Sequence, residues 1–351
     1  MKVLITGHDG YIGSVLTPMV RDSGHEVVGL DAFLLEGCAL GPEPDAVPAR
    51  RVDVRDVEID HLRGFDAVVH LAALSNDPLG YLDPVRTLEV NHLGSVRIAR
   101  LARRAGVERF VFASSCSLYG AASSTDVLTE VAPFNPVTPY GESKVLVERD
   151  LSKMADDDFS PTFLRNATVY GYSPRLRLDL VVNDLVASAF ATGNVVIKSD
   201  GTPWRPLVHV EDAARAIIAV LGAPREAVHN EAFNVGRTQE NYRVRDIAEV
   251  ATEVLPGSRV TYAQGGGPDR RSYRVDFSKA ENDLPGFHPR WTLPDGMHEL
   301  AESYRKFGLA EEDLSSPRFI RLRRIQILQQ EGRLGPDLRR LPASETASAH
   351  G

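Results

Sequence analysis

The sequence predicts an α/β fold: a Rossmann-like, doubly wound parallel sheet with a smaller C-terminal substrate-binding region. Three observations carry this. Short apolar runs alternate with longer segments of helical spacing through the first half of the chain, and strands alternating with helices imply a parallel sheet. Those runs are nearly continuous in apolar residues, as burial on both faces requires. The pattern Gly7-His8-Asp9-Gly10-Tyr11-Ile12-Gly13 lies between the first strand and the first helix, where a dinucleotide fingerprint must sit.

Taken in order, Lys2–Thr6 is a strand, and Gly10–Asp22 has helical spacing. Glu26–Leu30 is a second strand ending at Asp31, and Ala67–Leu71 is a third. A helix through Leu88–Ala105 leads to a strand at Phe110–Ala113. Pro136 and Pro139 then mark a helix start, with the helix running over Tyr140–Met154, and Thr162–Leu164 closes the series. We expect residues 1–170 to form the dinucleotide-binding domain, with segments around 205–240 returning to it. Residues 171–310, with a helix at Val181–Ala191 between loops rich in Pro, Arg and Gly, form the substrate region. Residues 311–351 are a C-terminal extension. Its basic, partly amphipathic stretch Arg318–Gln330 reads as a docked helix before a frayed tail, or as a subunit contact; docking is the simpler reading.

Composition narrows the function. With 351 residues, 43% of them hydrophobic, a sizeable core forms without staples. A net charge of −8 without a long Lys/Arg block disfavours nucleic-acid binding, which needs a basic face. Two cysteines, Cys38 and Cys116, give neither a disulfide framework nor zinc spacing and fit a reducing compartment. The apolar run before Gly7 is too short for a signal-peptide core, and no stretch approaches the ~18 residues that span a bilayer. We therefore expect a cytoplasmic enzyme with no membrane partner and no metal.

In the fingerprint, Gly7 permits a tight turn, Gly10 lets backbone approach a pyrophosphate, and Gly13 allows close helix–sheet packing. The phosphates then face a helix N-terminus, where free N–H groups favour negative charge. Asp31 ends the second strand. A carboxylate there accepts bonds from the adenosine ribose and repels a 2′-phosphate, which selects NAD over NADP; the alternative is a plain helix cap.

Further motifs follow in order: Asp53-Val54-Arg55-Asp56, His70-Leu71-Ala72-Ala73, Ser114-Ser115-Cys116-Ser117-Leu118-Tyr119-Gly120 and Tyr140-Gly141-Glu142-Ser143-Lys144. With them, the chain resembles the extended short-chain dehydrogenase/reductase family, and within it the NAD-dependent nucleotide-sugar epimerases and dehydratases, over about residues 1–305. The resemblance implies that Asp9, Tyr11 and Ile12 belong to the cofactor loop. It also implies that Asp53 and Val54 touch the adenine, that Leu71, Ala72 and Ala73 pass beside the dinucleotide, and that Lys144 reaches the nicotinamide ribose. His70 reads as structural. Chemistry argues for the catalytic centre independently. Tyr140 and Lys144, four apart on a helix, share a face. An ammonium near a phenol favours the phenolate, giving a usable base. Ser115, at a strand end, can hydrogen-bond the same sugar oxygen. The competing reading is an ordinary helix-surface pair.

For the substrate, Asp200-Gly201-Thr202-Pro203-Trp204-Arg205 resembles the family segment whose Arg grips a nucleotide diphosphate, a role suited to a planar guanidinium. Pro268-Asp269-Arg270-Arg271, ahead of Tyr273, resembles a second clamp, with Arg270 or Arg271 in place of the Arg that many epimerases carry where this chain has Gly266. Solvated surface charge is the plainer alternative for these arginines. Asn183 fits a family position contacting the diphosphate. Asn166 is expected to line the nicotinamide or sugar, and Ser75 to sit at the mouth near the sugar. Dehydratases of this family place an Asp-Glu pair where this chain has Cys116 and Ser117, so elimination lacks its acid and base. A net reductase would usually prefer NADPH, against Asp31. The expectation is therefore an NAD-dependent epimerase of a nucleotide-diphosphate sugar, most often at C4, working as a homodimer. Dehydratase, decarboxylase and keto-reductase are the alternatives, and a non-catalytic NAD-binding regulator is the least favoured.

Overall fold

Seven parallel strands form the central sheet of the computed structural model, which describes residues 1–75, 80–81, 83–121, 126–263 and 271–341. In chain order the strands are β1 (Lys2–Thr6), β2 (Glu26–Asp31), β3 (Ala49–Arg51), β4 (Ala67–His70), β5 (Arg109–Ser115), β6 (Val127–Leu128), β7 (Ser160–Asn166) and β8 (Thr168–Tyr170). Then come β9 (Asn194–Ile197), β10 (Trp204–His209), β11 (Ala232–Val235), β12 (Asn241–Arg243), β13 (Arg259–Tyr262) and β14 (Arg274–Val275). Across the main sheet the order is β11-β7-β5-β4-β1-β2-β3. The winding reverses between β1 and β4, and ligands of such sheets bind in the crevice outside the carboxyl ends at that point.

Burial on both faces explains the apolar strands. Val3 and Ile5 pack into the core on one face, and Leu4 packs into the core on the other. Strand β7 is longer than its apolar stretch because Arg165 and Asn166 extend it while remaining buried. The expected helix Leu88–Ala105 is in fact three pieces: Pro84–Leu88, a π-helical stretch Glu89–Gly94, and Ser95–Arg104. Such bulges frequently serve sites. Here Asn91 accepts the Leu74 N–H at 2.7 Å and donates to the Leu74 carbonyl at 3.1 Å, pinning the loop after β4.

The substrate region has its own core. Helices Val181–Thr192, Val244–Val254 and Leu293–Phe307 pack around Tyr170, Leu207 and Phe319, beside a small sheet of order β12-β10-β8. Strand β11 returns to the main sheet beside β7. The division differs from expectation in one place: Val275, Phe277, Leu284 and Phe287 pack into the main-sheet core. Gly236 makes this possible, since a Cβ there would lie 2.8 Å from the Phe277 ring.

The C-terminal helix Arg321–Gln330 docks on the dinucleotide half of its own chain. Ile325, Leu328, Leu334 and Leu338 form a cluster with Leu34 and Leu74. The tail from Pro342 lies outside the described residues. No helix among those described is long and apolar enough to cross a membrane.

Candidate active site

A cavity of about 700 Å³ opens at the carboxyl ends of the strands, between the main sheet and the substrate region. Its floor is the glycine loop. Gly7 has φ +75° and donates its N–H to Leu30 at 2.8 Å. A Cβ there would meet the Ala72 backbone at 2.7 Å, and one at Gly13 would meet the Gly7 carbonyl at 2.2 Å. Helix Gly13–Asp22 can start only because these backbones touch. Gly10, Tyr11, Ile12 and Gly13 line the cavity there.

Asp31, the last residue of β2, lines the cavity beside that loop. Its carboxylate accepts the Phe33 N–H at 2.7 Å and the Asp9 N–H at 3.1 Å. Burial raises its pKa above the usual carboxylate range, against those two donors. Asp53, Val54, Leu71, Ala72 and Ala73 line the same wall. Two expectations change. Asp9 does not line the cavity: its N–H goes to Asp31, and its side chain pairs with Arg175 at 2.6 Å. Asn183 does not reach the cavity: it is fully buried, accepting the Gly171 N–H at 3.0 Å and donating to the Arg177 carbonyl at 3.1 Å. Capturing backbone groups that would otherwise be orphaned leaves nothing for a ligand.

Ser115, Tyr140 and Lys144 line the same cavity. Thr138 caps the helix Pro139–Ser152 by accepting the Gly141 N–H at 3.0 Å, and Pro139 occupies its first turn. That start holds Tyr140 at the cavity mouth. One turn on, the buried Lys144 donates to the Ala113 carbonyl at 2.7 Å, with its Nζ 5.4 Å from the Tyr140 ring centre. Burial pulls the Lys144 pKa down to about 7, opposed by Glu148. Ser115 ends β5, and its Oγ accepts the Ser117 N–H at 3.1 Å.

The pair Cys116 and Ser117 divides. Cys116 is fully buried and donates to the Arg165 carbonyl at 3.1 Å, while Ser117 faces the cavity. No carboxylate stands at either place. His70 is structural: its ring bonds Thr6 at 2.6 Å and Ser95 at 2.8 Å, and burial holds its pKa down to about 3, with Lys144 adding to the effect.

On the substrate side, Ser75, Asn166 and Arg205 all line the cavity. Asn166 donates to the Ser114 carbonyl at 3.4 Å, while its buried Oδ1 has no partner among the described residues. Arg205 donates to the Trp204 carbonyl at 2.8 Å and to the Arg271 carbonyl. Arg270 lies outside the described residues; its neighbour Arg271 lines the cavity, as does Tyr273.

Sequence reasoning missed two groups. Arg177 lines the cavity, donates to the Ser75 hydroxyl at 3.0 Å and pairs with Asp179 at 2.9 Å. The signal was a charged Arg-Leu-Arg-Leu-Asp stretch directly before the helix at Val181. Glu148 and Arg165 form a buried ion pair at 2.7 Å, and Glu148 also accepts the Ser114 hydroxyl. A lone Glu on a helix gives no such signal.

The residue set fits a dinucleotide: a glycine cradle, a ribose acid and a Tyr–Lys pair share one cavity. Comparison with known proteins agrees. The NAD dependent epimerase/dehydratase family model matches residues 3–236. A UDP-glucose 4-epimerase of Lactobacillus helveticus is 31% identical over 330 residues, covering 87% of this chain and 97% of that one. MoeE5 in complex with UDP-glucose and NAD is 32% identical with a TM-score of 0.75, covering 87% of this chain and 99% of that chain. The UDP-glucose 4-epimerase of Thermus thermophilus, in complex with NAD, is 27% identical with a TM-score of 0.74 over the same shares. A match over more than half of the chain, on a cavity built for a dinucleotide, places this protein in the NAD-dependent epimerase/dehydratase family.

Proposed function

We propose that the chain is a UDP-sugar 4-epimerase. The observation that carries this is the pairing of a Tyr140–Lys144–Ser115 centre with Ser117 and a buried Cys116 at the two places where elimination would need carboxylates. NAD, when bound, supplies the acceptor and donor of the sugar hydride. Tyr140 removes the proton from the C4 hydroxyl and later returns it. The Lys144 ammonium favours the phenolate over the phenol. Ser115 holds the same oxygen as its charge develops. Arg205 and Arg271 suit the substrate diphosphate, because guanidinium forks match phosphate oxygens. Asn166, with its open Oδ1, lies where the sugar or nicotinamide would rest.

The sequence relatives support UDP as the nucleotide. UDP-glucuronate belongs among the candidates, since MoeE5, 31% identical, has also been solved with that sugar. We further propose a homodimer, with the exposed Val85 and Leu93, at 63% and 58%, as candidate contact residues. Two buried thiols, Cys38 and Cys116, suit the cytoplasm. The test is a panel of UDP-hexoses and UDP-hexuronates followed by proton NMR. Conversion of at least one sugar to its C4 epimer supports the proposal. A panel converted only to 4-keto-6-deoxy or decarboxylated products refutes it.

A further inference from the structure

About one-eighth of this chain lies beyond its relatives: L. helveticus epimerase and MoeE5 are matched over 97% and 99% of their lengths, yet over only 87% of this one. The C-terminal extension folds back across the dinucleotide half, held by a row of arginines reaching backbone carbonyls. Arg318 donates to Ala39 at 2.7 Å, Arg324 to Leu34 at 2.9 Å, and Arg340 to Ala32 at 2.6 Å. In return Arg55, beside the adenosine wall, donates to the Asp337 carbonyl at 2.7 Å. The carbonyls of Ala32, Leu34 and Ala39 belong to the segment directly after Asp31, so the extension is anchored to the rim of the cofactor end.

Three of its side chains enter the cavity itself: Arg321, Ile325 and Leu338. Leu338 has φ +61°, a left-handed conformation in which a residue with a side chain is strained. It is held there by packing with Ile325, Leu328 and Leu334 beside Leu34 and Leu74. Arg321 is only 8% exposed. Its Nη2 donates to the Arg175 carbonyl at 2.6 Å, and Arg175 is the partner of Asp9 in the glycine loop. Its Nη1 is buried with no hydrogen-bond partner among the described residues. A buried guanidinium lacking a bond is costly unless an anion completes it, and the neighbouring cation Arg177 adds to that cost.

We propose that the extension is part of the cofactor site: Arg321 binds the diphosphate of NAD above the glycine loop, while Ile325 and Leu338 cover the adenosine end and slow its release. This rests on the dinucleotide reading of the cavity. It also suits the reaction, because an epimerase returns the hydride it took and never needs to release its cofactor.

The test uses the full chain. Protein is passed through exhaustive gel filtration, bound nucleotide is released by denaturation and counted, and release is timed by exchange with isotopically labelled NAD. Wild type should retain NAD through filtration. Arg321→Gln should release it roughly tenfold or more faster, the loss of a charge-assisted bond, and Arg321→Lys should recover part of the difference. Leu338→Gly, which relieves the positive φ while uncovering the adenosine end, should also speed release and guards against a folding defect at Arg321. UDP binding to the NAD-loaded chain should change less than twofold in each variant. Release rates within twofold of wild type in both Arg321→Gln and Leu338→Gly would overturn the proposal. So would a selective loss of UDP binding in Arg321→Gln, which would assign the residue to the nucleotide sugar. A wild-type chain that binds no NAD at all would instead refute the dinucleotide reading.

Discussion

Lys144 carries two opposed demands. Its charge is needed beside Tyr140, yet burial draws its pKa from the ordinary 10.5 down to about 7. Between those values the unfolded chain binds a proton that the native chain does not, so native stability rises with pH from about 7 to 10.5. Urea melts of wild type and Lys144→Met should diverge in that window, with wild type gaining relative to the variant as pH rises; parallel curves would mean that Lys144 is not desolvated. Tyr140→Phe should lower kcat by roughly 10²–10⁴-fold while leaving NAD content unchanged, measured as nucleotide released on denaturation. In the same cavity, Asp31→Ala should narrow the preference for NAD over NADP in direct binding, because the carboxylate that repels a 2′-phosphate is gone.

At the scale of elements, the site depends on buried polar ties between strands and helices. His70 links β1, β4 and the helix Ser95–Arg104, and stays neutral down to about pH 3 because it is buried. In the unfolded chain an ordinary histidine protonates near 6.5, so stability should fall as pH drops from 6.5 towards 3. His70→Gln should flatten that acid limb in thermal melts read against pH. The Glu148–Arg165 pair braces the helix of Tyr140 against β7. Arg165→Met should cost about 3–5 kcal/mol in urea unfolding, because it strands a buried carboxylate; adding Glu148→Leu should restore most of the loss.

These ties also show what was legible in the sequence. Five of the seven main-sheet strands, the glycine loop and the Tyr140–Lys144 spacing are readable because local period and spacing determine them, whereas the short β3 and β11 carry too few apolar residues to stand out. The π-helical step that delivers Asn91 to Leu74 is not, since it changes a register without changing the apolar pattern. Asn183 misled because a polar residue on a helix near a ligand region serves backbone satisfaction as readily as binding. Glu148 and Arg165 lie 17 positions apart, and only the packing of a helix on a strand makes them partners.

For the whole molecule, the cavity draws walls from three parts of the chain: the sheet ends, the substrate region through Arg205 and Tyr273, and the C-terminal extension through Arg321 and Leu338. A docked helix was expected over Arg318–Gln330 and runs over Arg321–Gln330; its reach into the cavity was not expected, because an amphipathic stretch specifies that it docks and not where. A cavity with these walls suits a reaction that returns the hydride to the sugar it came from. The most direct measurement of that claim is to incubate the purified protein with each UDP-hexose and UDP-hexuronate of the panel in deuterated water, without added NADH or NADPH, and follow the sugars by NMR and mass spectrometry. The account predicts that at least one sugar becomes its C4 epimer, of unchanged mass apart from exchangeable hydroxyl protons and with no deuterium on carbon. Deuterium on carbon, loss of one water, or stoichiometric consumption of a reduced nicotinamide would contradict it.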